Sequence, residues 1–227
     1  MSIDPEVSTE VWRLFIRLNK RITNSVRRII KGDGRQVLWD TYYMFRGLDL
    51  GYTSLESIGL SADIGSWHEN SGGPDLKVVI KSFPKNTNAS IIDFGCGKGG
   101  ALITLSQCGF RSVDGLDISK DLLLIAKNNL RKLNIRNVKL FCSSAASFTE
   151  LHKYTFIYMF NPFPPPIMHD VISNINESIE KYPREITIIY KNPVCHNVIV
   201  NNSDFRVIRK FEDFLIPFWV YKNRFLI

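Results

Sequence analysis

The chain has 227 residues and a formal net charge of +7, with 44% hydrophobic and 22% charged residues. This length is typical of one α/β domain with an appendage, and the composition excludes a mostly disordered, collagenous or coiled-coil protein. Apolar runs end well short of the ~18 residues that a membrane span needs, and residues 1–5 do not open a signal peptide. We therefore expect a cytoplasmic protein, whose excess of Lys and Arg favours an anionic partner.

Four cysteines are spread along the chain without a C-x-x-C pair: Cys96, Cys108, Cys142 and Cys195. This spacing argues against a zinc knuckle and against a small disulfide framework. We expect reduced thiols and no metal site.

Residues 11–31 place apolar side chains at mostly helical intervals, with Arg and Lys between them. The pattern predicts a basic amphipathic helix within an extension over residues 1–35, ended by the glycines at 32 and 34. Two interpretations stay open. The helix packs on the domain and covers its site, or it holds the protein at the inner face of an anionic membrane.

Residues 36–89 form the next region of the chain. Its first part, residues 36–73, is rich in Gly, Tyr and Ser with weak periodicity, which is typical of an irregular loop that covers a site. A helix is expected over residues 74–83, because it starts at a proline and ends before Pro84.

From Ser90 onward the pattern alternates between strands and helices. Strands are predicted at 91–94, 113–118, 138–142, 156–160 and 186–190, and helices at 101–107, 120–132 and 167–181. Strand and helix in this alternation predict right-handed crossovers and a parallel sheet. Two further strand-like runs, 205–211 and 218–226, lie too close together for a crossover helix, so they must pair antiparallel.

Residues 91–100 read I-I-D-F-G-C-G-K-G-G, at the predicted turn from the first strand into a helix. Glycines at such a turn bring the backbone close to a nucleotide-like cofactor, and Asp117 lies at about the right distance to hold a ribose. Asp93 distinguishes between cofactors. A dinucleotide would bring its pyrophosphate to this turn, whereas S-adenosylmethionine (SAM) has no phosphate and presents an ammonium group and a sulfonium. The carboxylate of Asp93 therefore favours SAM.

Together with L-D-I-S at residues 116–119, this stretch resembles the glycine motif and ribose-binding acid of class I SAM-dependent methyltransferases. The resemblance implies a Rossmann-like α/β fold over residues 90–227. It has a seven-stranded, mostly parallel sheet, an antiparallel C-terminal strand pair and helices on both faces. The cofactor-binding residues that it implies are Asp93, Gly95, Cys96, Gly97, Gly99, Asp117, Ile118, Ser144, Ala145 and Asn161.

Over residues 49–192 the chain is similar to a group of small bacterial methyltransferases found near surface-polysaccharide genes. The group's Y-N-P-F is matched at residues 160–163, its Y-x-N-P at residues 190–193 and its G-D-A at residues 143–145, where Ser144 replaces the acid. Its G-x-x-Y-x-P-S is matched at residues 65–71, from which His68 and Asn70 depart. The resemblance implies a small polar acceptor, namely a hydroxyl of a sugar or of a surface-polysaccharide precursor.

Methyl transfer mainly requires that acceptor and methyl group are aligned and that water is excluded. A hydroxyl acceptor benefits from a base, so His68 is the first candidate and His169 the second, with Asn161 at the sheet edge as the other catalytic residue. One alternative is an adenine or other N-methyltransferase acting on nucleic acid or protein, since such enzymes carry [DN]-P-P-[YF] where this chain has N-P-F-P at residues 161–164. Another alternative is a SAM-binding protein without catalysis.

Overall fold

The computed structural model describes residues 33–54, 69–84 and 88–224. The expected N-terminal helix and His68 lie outside the described residues. Within them, none of the helices is long and apolar enough to cross a membrane.

The described residues form a seven-stranded sheet with the order β3-β2-β1-β4-β5-β7-β6. The strands are β1 (Ser90–Phe94), β2 (Ser112–Asp117), β3 (Leu140–Cys142), β4 (Phe156–Phe160), β5 (Thr187–Lys191), β6 (Arg206–Phe211) and β7 (Phe218–Lys222). Neighbouring strands from β3 to β5 are parallel, whereas β7 runs antiparallel to both β5 and β6. This arrangement confirms the predicted fold, including its antiparallel C-terminal pair.

Helices cover both faces of the sheet. They are α1 (Gly34–Phe45), α2 (Pro74–Lys81), α3 (Gly100–Leu105), α4 (Lys120–Lys132), α5 (Pro165–Lys181) and α6 (His196–Asn201). The apolar residues of α1 to α4 join one core cluster, and those of α5 and α6 join the other. Strands β1 and β5 are buried along their whole length, as expected for parallel strands covered on both faces.

The helix α4 has the bounds that the sequence predicts, because its capping signals are local. The Ser119 hydroxyl accepts a hydrogen bond from the amide of Leu122 at 3.3 Å, which satisfies one of the free N–H groups of the first turn. Asp121 lies in the first turn, and Arg131 and Lys132 lie in the last, where they complement the helix dipole.

Two helices were not predicted. Residues 36–73 were expected to be irregular, but α1 begins at Gly34 and continues to Phe45. Contacts distant in the chain stabilise α1: the Gln36 amide donates to the carbonyl of Gly72 at 2.7 Å, and Tyr43 lies in the core. The short helix α6, after Pro193, was also missed.

Candidate functional site

The turn after β1 has a backbone that requires glycine. Gly95, Gly97 and Gly99 have φ values of 73°, 50° and 82°, in the left-handed region that other residues rarely adopt. At Gly95 a Cβ atom would also lie 2.7 Å from the Cβ of Pro162. The glycine turn is therefore held closely against the segment that follows β4.

The amides of this turn are already engaged within the protein. The amides of Gly95 and Cys96 both donate to the carbonyl of Leu116, at 2.8 and 3.0 Å. The amide of Gly97 donates to the Asp117 carboxylate at 2.8 Å, and that of Gly99 to the carbonyl of Cys96 at 2.9 Å. These four N–H groups are thus not free to receive a pyrophosphate, which argues against a dinucleotide at this turn.

Asp93 is a buried carboxylate near the end of β1, with 2% of its surface exposed. Burial raises its pKa well above the ordinary value, and repulsion from Asp117 raises the pKa further. No cation or hydrogen-bond donor among the described residues offsets this effect. A buried acid without a partner favours a cationic ligand at this position.

Asp117 lies at the end of β2, directly beside β1. Its carboxylate accepts hydrogen bonds from the amides of Gly97 and Ser119, both at 2.8 Å. Burial raises the pKa of Asp117, and these backbone hydrogen bonds act in the opposite direction. The chain therefore brings two carboxylates together at one edge of the sheet, beside the partly exposed Ile118.

Ser144 and Ala145 follow β3 at the same edge. The Ser144 hydroxyl accepts from the amide of Ala146 at 3.3 Å and so caps the short turn over residues 145–147. The carbonyl of Ala145 accepts from the Asn174 side chain at 2.8 Å. The Cys96 side chain points elsewhere, since it packs against Gly115, where an added Cβ would lie 2.8 Å from its sulfur.

A pocket of roughly 270 Å³ opens where β4 and β5 end, and we call it the Asn161 pocket. It is lined by Glu69, Phe160, Asn161, Asn192, Leu215, Ile216 and Pro217. Asn161 and Asn192 have φ values of 40° and 54°, which asparagine tolerates better than most residues. The Tyr190 hydroxyl donates to the Asn161 side-chain oxygen at 3.3 Å.

Residues before β1 pack over the glycine turn. The Asn70 side chain donates to the Asp40 carboxylate at 2.7 Å, and its oxygen accepts from the amide of Gly72 at 3.1 Å. That oxygen lies so close to α3 that a Cβ on Gly100 would meet it at 2.0 Å. The ammonium of Lys98, on the turn itself, pairs with Asp49 at 2.8 Å.

The described histidines do not line the Asn161 pocket. His169 is exposed beside Asp170, and the ring of His196 lies 3.2 Å from the Tyr221 hydroxyl. The assignment of a histidine base therefore stays a prediction.

Among the described residues, no group of His, Cys, Asp and Glu is arranged to hold a metal ion.

Sequence reasoning missed two residues at this end of the sheet. Glu69 lines the Asn161 pocket, and its only sequence signal was its place within the matched residues 65–71. Lys191 ends β5 with 8% of its surface exposed. A lysine after an apolar run usually marks a strand that reaches solvent, so its burial had no sequence signal.

A family model described as a methyltransferase domain matches residues 91–181, the span from β1 to the end of α5. Over these residues the chain is similar to methyltransferase domains. The match covers both acids, the glycine turn and Asn161. The cofactor of this class of domain is SAM. Asp93, which has no partner among the described residues, and the glycine turn, whose amides are hydrogen-bonded within the protein, fit this cofactor.

Two curated methyltransferases are similar to part of this chain. The chain is 34% identical over 93 residues to the release factor glutamine methyltransferase of Buchnera aphidicola subsp. Schizaphis graminum, covering 39% of this chain and 33% of that protein. It is 29% identical over 124 residues to the ribosomal protein L11 methyltransferase of Thermoanaerobacter pseudethanolicus, covering 55% and 36%. The chain thus spans about a third of the length of these relatives.

A solved structure agrees with the fold. A SAM-dependent methyltransferase from Aquifex aeolicus superposes with a TM-score of 0.52 at 21% identity, covering 65% of this chain and 88% of that one. At this identity the likeness supports the fold of the methyltransferase domain and no finer property.

Proposed function

We propose that this chain transfers a methyl group from SAM to a small polar acceptor held in the Asn161 pocket. The observation that carries the proposal is Asp93, a buried carboxylate without a hydrogen-bond donor or cation among the described residues. When bound, SAM supplies an activated methyl group on a sulfonium, and its ammonium group would compensate Asp93. Asp117 would hold the ribose at the neighbouring strand end.

The position of the Asn161 pocket supports an acceptor there. Asp93 pairs in register with Tyr158 on β4, and Phe160 follows on the same face two residues later. One strand spacing and two residues along the strand separate Asp93 from Phe160 by about 8 Å. A cofactor anchored at Asp93 can thus extend toward the pocket, where Asn161, Asn192 and Glu69 offer polar groups to the acceptor.

The pocket of roughly 270 Å³ has room for a small acceptor. The acceptor in this proposal is the hydroxyl of a sugar or surface-polysaccharide precursor that the sequence resemblance implies. The residues before β1 help to exclude water, because Asn70 and Gly72 press against the start of α3. Exclusion of water and alignment are the main requirements of the reaction.

A second candidate is N-methylation of a carboxamide or amine on a protein. It is favoured by the 34% identity over 93 residues to a protein named release factor glutamine methyltransferase. The Asn161 side chain, already oriented by Tyr190, would accept a hydrogen bond from an acceptor N–H group.

Transfer of radioactive methyl from SAM to a fractionated cell lysate tests the proposal. We expect label in the small-molecule fraction with the wild-type chain, loss of label with Asp93→Ala, and retention with Asp114→Asn. Asp114 serves as the control because it is also a buried acid, but its carboxylate accepts a hydrogen bond from the Tyr154 hydroxyl and does not face the glycine turn. Label confined to protein would support the second candidate, and label confined to nucleic acid would contradict the small acceptor.

A further inference from the structure

Lys191 lies at the end of β5, in a row of three residues on adjacent strands. It pairs in register with Phe160 of β4 and Phe218 of β7. Its ammonium nitrogen lies 4.9 Å from the ring centroid of Phe160 and 5.4 Å from that of Phe218. Phe160 and Asn192 line the Asn161 pocket, so Lys191 lies directly behind the pocket wall, next to Asn192 in the chain and over the ring of Phe160. It is on the face of the sheet that also carries Asp93.

The ammonium of Lys191 has no hydrogen bond or ion pair with any described residue, although the residue is 8% exposed. Lys98 is also buried, but its ammonium has the partner expected of a buried lysine, the Asp49 carboxylate at 2.8 Å. Lysines are almost never fully buried unless they are paired. An unpaired buried lysine beside a pocket therefore points to a partner that is a ligand.

Burial disfavours the charged form of Lys191, and the nearby carboxylates disfavour an anionic ligand at this position. Burial lowers its pKa, and carboxylates on the elements packed against it oppose this in part. In decreasing order of effect these are Asp75 on α2, Glu69 in the pocket wall, and Asp33 and Asp40 at α1. These four carboxylates act on Lys191, and Glu69 among them lines the pocket. They would repel a phosphate or carboxylate ligand at Lys191, so attraction of an anion does not explain the lysine.

We propose that the side-chain amine of Lys191 is the base that takes the proton from the methyl acceptor. This inference rests on the proposed function. The acceptor's O–H or N–H bond breaks and its proton moves to Nζ of Lys191, which becomes an ammonium. The acceptor's electron pair forms the bond to the methyl carbon, and the pair of the broken C–S bond stays on sulfur. The ammonium then returns its proton to water.

Chemical labelling tests the state of Lys191 without any acceptor. The full-length chain is treated with acetic anhydride between pH 6 and 10, and acetylation is quantified by peptide mass spectrometry. We expect Lys191 to reach half of its maximal rate at a lower pH than exposed Lys127, and Asp75→Asn to move that midpoint lower still, because Asp75 raises the pKa of Lys191. No acetylation of Lys191 across this range would mean that it is sealed from the pocket, which would overturn the proposal.

Variants test the role in catalysis, with label transfer to the lysate as the readout. We expect Lys191→Met and Lys191→Arg each to lower the rate at least about 100-fold, since positioned bases contribute about 10²–10⁴-fold and arginine stays charged. Both variants should bind SAM as the wild type does. Lys210→Met is the matched control, because Lys210 also lies over an aromatic ring, that of Trp219, but on the edge strand β6.

The outcomes separate this inference from the proposed function. Activity of Lys191→Arg within tenfold of wild type would show that a fixed positive charge suffices, which overturns the base role. Partial rescue of Lys191→Ala by added methylamine would support it. If the wild-type chain transfers no label, the proposed function fails, while the acetylation profile still decides whether Lys191 is an accessible amine with a lowered pKa.

Discussion

Single buried charges carry most of the functional argument. Asp93 and Lys191 are both buried, and neither has, among the described residues, the partner that buried charges normally have within a protein. They lie on one face of the sheet, near the ends of β1 and β5. Their placement is consistent with a cofactor at one end of the site and an acceptor at the other.

Replacing Asp93 by asparagine should stabilise the ligand-free protein above about pH 5. Since the folded state raises the pKa of Asp93 above its ordinary value of 3.8, the folded state holds a proton that the unfolded state releases. Stability therefore falls as pH rises through that window, and Asp93→Asn removes this dependence. Thermal unfolding from pH 4 to 8 checks it. Equal melting temperatures of variant and wild type at pH 7 would contradict the raised pKa.

The Gly95 position should tolerate no side chain. Alanine in the left-handed region costs about 1–2 kcal/mol, and overpacking against Pro162 adds typically about 1–3 kcal/mol. Gly109→Ala is the matched control, because its φ of 77° is similar but a Cβ there meets nothing within 4 Å. Denaturant unfolding should show Gly95→Ala less stable than Gly109→Ala, and similar stabilities would disprove the clash.

Residue-level prediction worked where chemistry is local to the chain. The acids Asp93 and Asp117 could be placed at adjacent strand ends, because strand, turn and helix are readable from a few consecutive residues. Lys191 and Glu69 could not be placed, since their burial or pocket position depends on segments far away in the chain.

At the scale of elements, α4 links the segment before the domain to the glycine turn through a single side chain. The buried Asn129 amide donates to the carbonyls of Asp49 and Lys98, at 2.8 and 3.0 Å, and its oxygen accepts from the amide of Asp49 at 3.1 Å. The segment before β1 and the glycine turn are thus fixed to the same helix.

Asn129→Ala should therefore lower stability by about 1–3 kcal/mol, because it leaves buried polar groups unpaired. It should also weaken SAM binding, since Lys98 belongs to the glycine turn. Asn128→Ala is the control, because Asn128 is next to Asn129 in the chain but is exposed. Its side-chain oxygen accepts a hydrogen bond only from Arg131 among the described residues. Unfolding curves and SAM titration of both variants check this, and equal behaviour of the two would contradict the linking role.

Element prediction succeeded for β4 and α4, whose observed bounds match the expected ones, and failed for α1. The weak periodicity of residues 36–73 predicted an irregular segment, yet α1 forms there because Gln36 and Tyr43 gain partners from distant segments. Long-range packing overrode a local signal that a single sequence offers no means to weigh.

At the scale of the whole molecule, the net charge of the chain is positive, whereas the charged residues of the site are mostly acidic. The chain carries +7, yet Asp93 and Asp117 lie at the sheet edge and Glu69 lines the pocket. The extension over residues 1–35 has eight Lys and Arg against four Asp and Glu, so it supplies +4 of the +7. We keep residues 36–89 as the covering region and 90–227 as the methyltransferase core in this proposal.

Deleting residues 1–31 should leave SAM affinity within about twofold, because the described contacts of the glycine turn come from residue 49 onward. Pelleting with phosphatidylserine vesicles should be lost, since each Arg or Lys near an acidic surface contributes about 1 kcal/mol. A neutral phosphatidylcholine vesicle serves as control. Unchanged pelleting after the deletion would contradict the membrane role of the extension.

Calorimetric titration of the purified chain with SAM tests the central claim, that Asp93 and the glycine turn bind this cofactor. We predict heat of binding with SAM and none with NAD, loss of the SAM signal in Asp93→Asn, and retention of it in Asp114→Asn. Because Asp93→Asn is expected to be at least as stable as the wild type, lost binding cannot be ascribed to unfolding. Binding of NAD without SAM, or full SAM affinity in Asp93→Asn, would contradict the account.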